Sequence, residues 1–292
     1  MHCRRKYIAL LCICGLTFFQ SYAQVDGIFN IKNYGATGDG HTLDTRSINN
    51  AIAACVNAGG GTVLVPAGTF VTGTFQLFSN INLFLAPGSV ILASENTNDY
   101  LLQTDYGFSG SGAGKKLGIV FAVNAVNVSI TGTGTIDGRA SSFMYMDSVQ
   151  VSHPEDSKYA RQGNRYMNTD NEKEEAPVMW KGEYGNRPGT QIIFHACKKV
   201  ILRDINIRNA NDWSIDLNAC DDAKVLGISI DNNLSVPNSD GIDMYDSRNV
   251  IIANCDVSAG EDAIAVISTS NLAVTNCNLH SRSCGIRIGY NG

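Results

Sequence analysis

Beyond residue 23 the chain has no Lys/Arg-rich run, and across its 292 residues 22 basic side chains face 27 acidic ones. That excludes nucleic acid as an expected partner, because a phosphate backbone is met by clustered positive charge. Any anionic partner would have to be recognised by local charge and not by long-range attraction. Cysteine never occurs in C-x-x-C pairs, so the usual framework of a structural zinc site is missing, and no metal or other cofactor is expected. Nor is there an apolar run of membrane-spanning length. Residues 8–19 are almost wholly apolar but too short for a comfortable span. They follow Arg4, Arg5 and Lys6 and precede Ser21-Tyr22-Ala23, which is the pattern of a secretory signal peptide over 1–23. The expected location is secreted or periplasmic, with no membrane span after cleavage. Without the leader, 19 basic residues stand against 27 acidic, a formal charge of −8. No second domain is discernible. Residues 24–292 are expected to form one domain, long enough to bury a single large core.

What is present is a repeat. Asp240 precedes Ile242 by two residues, Asp262 precedes Ile264 by two, and Cys284 precedes Ile286 by two, at intervals of 22. A period of about 20–30 residues marks a solenoid, in which equivalent positions of successive coils stack. Apolar strand starts at Val200, Val225, Val250 and Leu272 continue the rhythm. A second strand follows each, at Ile215-Asp216-Leu217, Ile242-Asp243-Met244, Ile264-Ala265-Val266 and Ile286-Arg287-Ile288. Alternation points the aliphatics inward and sets Asp216, Asp243, Ala265 and Arg287 outward in one column. Asn, Asp, Gly and Ser supply the corners. Residues 63–91 and 126–136 hold shorter strands of the same kind. Six cysteines remain after the leader, and Cys255 and Cys277 share one phase; small buried residues stacked coil on coil are preferred here to a disulfide.

Two segments depart from the repeat. Over Thr45 to Asn57, Ile48, Ala51, Ile52, Cys55 and Val56 mark an apolar helical face. Asp44 or Thr45 can cap its start, and Gly59-Gly60-Gly61 ends it. A solenoid needs its open end plugged, and this helix is placed to do so. The insertion at about 139–189 is polar and carries Tyr145, Tyr159, Tyr166, Trp180 and Tyr184. It is expected to form a wall at one end of a cleft, which would favour end-acting over mid-chain chemistry. The chain stops directly after a strand, so the solenoid is expected to be C-terminally incomplete.

The stacked acids are the candidate site. Asp240 and Asp262 on adjacent coils can polarise a water, and Glu261 beside Asp262 can face a leaving group, the division of labour that glycosidic hydrolysis needs. Crowding raises the pKa of at least one such acid. Spacing alone leaves open that all three are solvated corner acids.

The residues resemble glycoside hydrolase family 28, the polygalacturonases and their relatives, over nearly the whole chain after the leader. The resemblance begins at Asn33-Tyr34-Gly35-Ala36, Gly38-Asp39-Gly40, Gly59-Gly60-Gly61-Thr62-Val63 and Val65-Pro66-Ala67-Gly68. It runs on through Gly132-Thr133-Gly134-Thr135-Ile136-Asp137-Gly138, Arg187-Pro188 and Trp213. The specific part is Asn238-Ser239-Asp240-Gly241-Ile242-Asp243, similar to the family's Asn-Thr-Asp-Gly motif, with Gly260-Glu261-Asp262 where the family has Gly-Asp-Asp. The resemblance implies an all-β, right-handed parallel β-helix, acting as a monomer on α-linked pectic polysaccharide or oligosaccharide of galacturonan or rhamnogalacturonan type. It places Glu261 as general acid and Asp240 with Asp262 at the attacking water of an inverting reaction. Asn238, Asp243 and Arg287 are expected to bind substrate.

The departures from the family's pattern define the alternatives. Glu261 replaces an aspartate and lengthens the acid. Ser283-Cys284-Gly285 stands where the family has Gly-His-Gly, and His280 is out of phase. The family's Arg-x-Lys motif would lie past Gly292. Arg287 either grips an acidic sugar, pairs with Asp243 or is a plain solvated arginine. Cys284 reads as a packed small side chain before it reads as a nucleophile. Trp213, one coil before Asp240 in the same phase, is either a sugar platform or a buried anchor. A β-helix polysaccharide lyase with calcium on its acids, or a carbohydrate-binding solenoid with a decayed site, are the competing readings.

Overall fold

The computed structural model describes residues 27–106, 116–145, 179–180, 187–234, 236 and 238–289. The leader at 1–23 and most of the 139–189 insertion, with Tyr159, Tyr166 and Tyr184, lie outside the described residues.

Three parallel sheets of eight, eight and seven strands run the length of the chain. After a first coil that supplies strands to two sheets only, each coil gives one strand to each sheet and then moves to the next layer, so the order within a sheet follows the sequence. Parallel strands linked through the other two sheets wind right-handedly, the hand that twisted L-strands favour. The third sheet holds β1 (Phe75–Leu77), β2 (Val120–Val123), β3 (Ile192–His195), β4 (Ile215–Asn218), β5 (Ile242–Tyr245), β6 (Ile264–Ile267) and β7 (Ile286–Ile288).

Alternation builds the interior. Ile215, Ile242 and Ile264 stack in one inward ladder and Leu217, Met244 and Val266 in another, and all are buried. The outward ladder Asp216, Asp243, Ala265, Arg287 has the expected register. On the first sheet the register corrects the sequence reading. Val200 pairs with Ala223, and Val225 pairs with Leu202. The two-residue offset escapes notice because a strand's faces repeat every two residues, so both choices point inward.

Coil length varies at one corner. From Asp231 to its third-sheet strand at Ile242 the chain takes eleven residues, whereas the equivalent step from Ser258 to Ile264 takes six. The surplus carries Asn238 and lies directly before Asp240. Non-glycine residues in the left-handed region recur as the second residue of the first-sheet strands, in the column Asn127, Lys199, Asp222, Asn249 and Asn271, and at corners such as Asn254 and Asn276, positions that Asn and Asp tolerate best. Their amides also stack: Asn271 Nδ2 donates to Asn249 Oδ1 at 2.6 Å and Asn276 Nδ2 to Asn254 Oδ1 at 2.6 Å.

The helix α1 spans Thr45–Asn57 and packs on the first coil through Ile48, Ala51, Ile52 and Cys55. Val56, assigned to the same face from sequence, is 41% exposed. Asp44 occupies the N-cap without capping through its side chain. Its carboxylate instead accepts from the Thr37 and Gly38 main-chain N–H groups, at 2.8 and 3.1 Å. All six cysteines are free thiols, and Cys255 and Cys277 share a column as the spacing predicts.

Candidate active site

The site forms where the second sheet turns into the third. The Gly241 N–H donates to the Asp262 carbonyl at 2.9 Å, and the Ala263 N–H donates to that of Cys284 at 2.9 Å. Asp240, Asp262 and Cys284 therefore stand in one column, about 4.8 Å apart per coil, with Trp213 above them. Gly241 makes this stacking possible. A Cβ there would run into the Ala263 main-chain oxygen and Val257 Cγ1. Gly241→Ala is expected to lower stability by about 1–3 kcal/mol and to displace Asp240, measurable as a lower urea midpoint together with lost turnover.

All six residues proposed from sequence line one cavity of about 220 Å³: Asn238, Asp240, Asp243, Glu261, Asp262 and Arg287. Trp213, Tyr245, Ala265 and Ile267 complete its wall. The acids are not solvated corner residues. Asp240 is 4% exposed, Asp243 1%, Glu261 3% and Asp262 2%. Burial of a carboxylate disfavours its charged form unless a partner offsets the cost, and the four acids differ in what partners they have.

Asp262 is the best compensated. Its Oδ2 lies 2.9 Å from Arg287 Nε, and its Oδ1 accepts from the Cys284 N–H at 3.3 Å. Burial raises its pKa, but Arg287 and these hydrogen bonds oppose the rise. The geometry also corrects one alternative from sequence: Arg287 pairs with Asp262 and not with Asp243. Ala265 intervenes between Arg287 and Asp243 in the outward column, so the guanidinium reaches the nearer coil. Arg287 Nη2 also donates to Ser283 Oγ at 3.1 Å.

Glu261 is set differently. Asn238 Nδ2 donates to its Oε2 at 3.0 Å. Burial first, then the neighbouring Asp262 charge, push its pKa up to about 7, against an opposing pull from Arg287. Asp240 and Asp243 are driven well above the ordinary carboxylate range, mainly by burial. Asp243 then adds most to the rise of Asp240, and Asp216 most to that of Asp243. Cys284 contributes its main-chain N–H. Among the described residues no group of three or more His, Cys, Asp or Glu is arranged to hold a metal ion.

Three features were missed in sequence. Tyr245 shares the outward face of β5 with Asp243, two residues on, and stacks on Trp213 with ring centroids 5.6 Å apart; alternation alone could have identified it. Asp212, directly before Trp213, is buried beside Arg187, whose Nη2 lies 3.5 Å from its Oδ1. Asp216 was placed outward correctly, but nothing in the sequence signalled that this outward position is buried.

Comparison with known proteins agrees with this architecture. The probable polygalacturonase of Vitis vinifera is 27% identical over 247 residues, covering 82% of this chain and 44% of that protein. The exo-poly-alpha-D-galacturonosidase of Dickeya chrysanthemi is 28% identical over 265 residues, covering 82% and 42%. The chain thus spans less than half the length of these two relatives. The structure of the Yersinia enterocolitica family 28 exopolygalacturonase superposes with a TM-score of 0.64 at 23% identity, covering 86% of this chain and 48% of that one. The Thermotoga maritima exopolygalacturonase gives 0.63 at 22%, covering 91% and 66%. Residues 55–292 match the sequence model for glycosyl hydrolases family 28, and with most of its length so matched, the chain belongs to that family.

Proposed function

We propose that this chain hydrolyses α-linked pectic polysaccharide or oligosaccharide, of galacturonan or rhamnogalacturonan type, in a single inverting step. The observation that carries the reading is the unequal treatment of two adjacent buried acids: Asp262 is clasped by a guanidinium, while Glu261 is held near neutrality. That is the separation of base and acid that glycosidic cleavage requires. Glu261 gives its proton to the departing glycosidic oxygen. Asp262, paired with Arg287, takes a proton from water as that water attacks the anomeric carbon from the opposite face. Asp240 hydrogen-bonds the same water and fixes its direction. Inversion needs acid and base roughly 6.5–9.5 Å apart, with the water between. Asn238 holds the Glu261 carboxyl at its working position.

The leader pattern at 1–23 supports action on a polysaccharide outside the cytoplasm. Incubation of the full chain with a panel of pectic oligosaccharides tests the reading. The expected products are shorter saccharides that gain one water in mass and carry a new reducing end, initially as the β-anomer. An unsaturated product absorbing in the ultraviolet and lost with chelator would establish a lyase instead. Binding with no reducing ends released would establish a non-catalytic solenoid.

A further inference from the structure

Asp262 is held from the coil that follows it, and the residues that hold it form a connected set. Arg287, on β7, brings its Nε to 2.9 Å from Asp262 Oδ2 and donates through Nη2 to Ser283 Oγ at 3.1 Å. Cys284, beside Ser283, stands next to Asp262 in the stacked column, and its N–H donates to Asp262 Oδ1 at 3.3 Å. The Ser283 hydroxyl and the Cys284 thiol act on the same carboxylate through side-chain hydrogen bonds. The Ser283 main chain is fixed in turn, its N–H donating to Ser281 Oγ at 2.9 Å. A hydroxyl has one hydrogen and two lone pairs. In Ser283 a lone pair takes the Arg287 N–H, which leaves the hydrogen for an acceptor. The carboxylate is a stronger acceptor than the Cys284 sulfur 3.8 Å away. A run from guanidinium to hydroxyl to carboxylate polarises each bond along it. Glu261, one residue from Asp262, takes its hydrogen bond from the other direction, from Asn238 Nδ2.

We propose that Ser283 is a positioning residue for the reaction: its hydroxyl fixes the Arg287 guanidinium and, with the Cys284 thiol, favours the charged form of Asp262 and aims it at the attacking water. This rests on the hydrolase reading of the same cavity and deepens it by naming what sets the base. Among the described residues, Asp240 stands above Asp262 in the column, Glu261 beside it, Asp243 on β5, and Arg287 and Cys284 on the following coil. Three of these neighbours are acids, and any charge on them favours a proton on Asp262. Burial works in the same direction, and the Arg287, Ser283 and Cys284 donors oppose it. Removing one donor therefore raises the Asp262 pKa. The acidic limb of turnover, where the base takes up its proton, then moves to higher pH.

The test compares the full chain with Ser283→Ala, Ser283→Thr and Cys284→Ala, each checked by circular dichroism. Two quantities are read. One is the titration midpoint of Asp262, from NMR of isotope-labelled aspartate, assigned by the signal lost in Asp262→Asn. The other is kcat and KM across pH for the pectic oligosaccharide that the unsubstituted chain cleaves. Ser283→Ala is expected to move the midpoint and the acidic limb upward together by about 0.5–1 pH unit. On that limb kcat falls about three- to tenfold, because each pH unit is tenfold in the charged fraction, while KM stays nearly unchanged. Ser283→Thr keeps the hydroxyl and is expected to restore both readings. Cys284→Ala, which removes the weaker thiol donor and keeps the N–H, is expected to shift both in the same direction by less. If Ser283→Ala does not fold, Cys284→Ala decides by the same readings. A folded variant in which the limb stays in place overturns the proposal, and a kcat lowered equally at every pH marks a merely structural role. If the midpoint moves as expected but the unsubstituted chain releases no reducing ends, the hold on Asp262 stands and the hydrolase reading fails. If reducing ends are released and neither reading moves, the hydrolase reading stands and this proposal fails.

Discussion

Asp262→Asn is expected to reduce turnover by roughly 10²–10⁴-fold, the usual contribution of a positioned general base, while the solenoid stays folded. Asparagine has the shape of the aspartate it replaces and can still accept from the Cys284 N–H that now meets Asp262 Oδ1. What it lacks is the charge that receives a proton from water. Arg287 loses its ionic partner, but its side chain is 13% exposed and retains Ser283, so the loss is softened by solvent. The measurement is release of reducing ends from pectic oligosaccharides, read beside the urea midpoint. Activity close to that of the unsubstituted chain would move the reaction elsewhere on the molecule.

The second large effect concerns pH. Glu261 must carry its proton to act as an acid, and burial with the Asp262 charge sets its pKa at about 7. Turnover should therefore fall as pH rises through about 7. Glu261→Gln should lower turnover by roughly 10²–10⁴-fold and abolish that limb. Stability moves in a definite direction too. The Glu261 carboxyl, ordinarily near 4.5, is pushed up to about 7 in the fold, so between those values the folded chain holds more protons than the unfolded one. Stability is then highest below about 4.5, as far as this group is concerned, and declines as pH rises through about 7. Glu261→Gln should flatten the decline across that window, leaving the share contributed by Asp240 and Asp243, which titrate with it as one cluster. A pH–activity profile unchanged in its basic limb would show that another group supplies the proton.

The two tests fail differently. Loss of the Asp262 effect with the Glu261 limb intact would keep the acid and dismiss the base. The reverse would keep the base and reassign the proton donor. Both variants preserve side-chain size, so neither result can be blamed on packing.

Much of the architecture was legible because a solenoid writes its geometry into its period. The spacing of Ile242, Ile264 and Ile286 locates β5, β6 and β7, and alternation within them assigns Asp243 and Arg287 to the outward face. The helix Thr45–Asn57 was legible from its apolar spacing, apart from Val56. Register on the first sheet was not, because Val200 and Val225 both face inward and period-two alternation cannot choose between positions two apart. Phase put Cys255 and Cys277 in one column but fitted a disulfide equally well; both are free thiols in the fold.

By itself the chain of residues determined that it winds, which aliphatics go inside, and that Asp240 and Asp262 fall in stacked positions with Glu261 beside them. Those are consequences of periodicity, and periodicity is local information repeated. Tertiary structure decided the rest. It buried the outward-facing acids, gave Asp262 an arginine from the following coil, and laid Tyr245 against Trp213. Protonation depends on the distance to every neighbouring charge and on exclusion of water, and both are set by side chains from separate coils meeting in space.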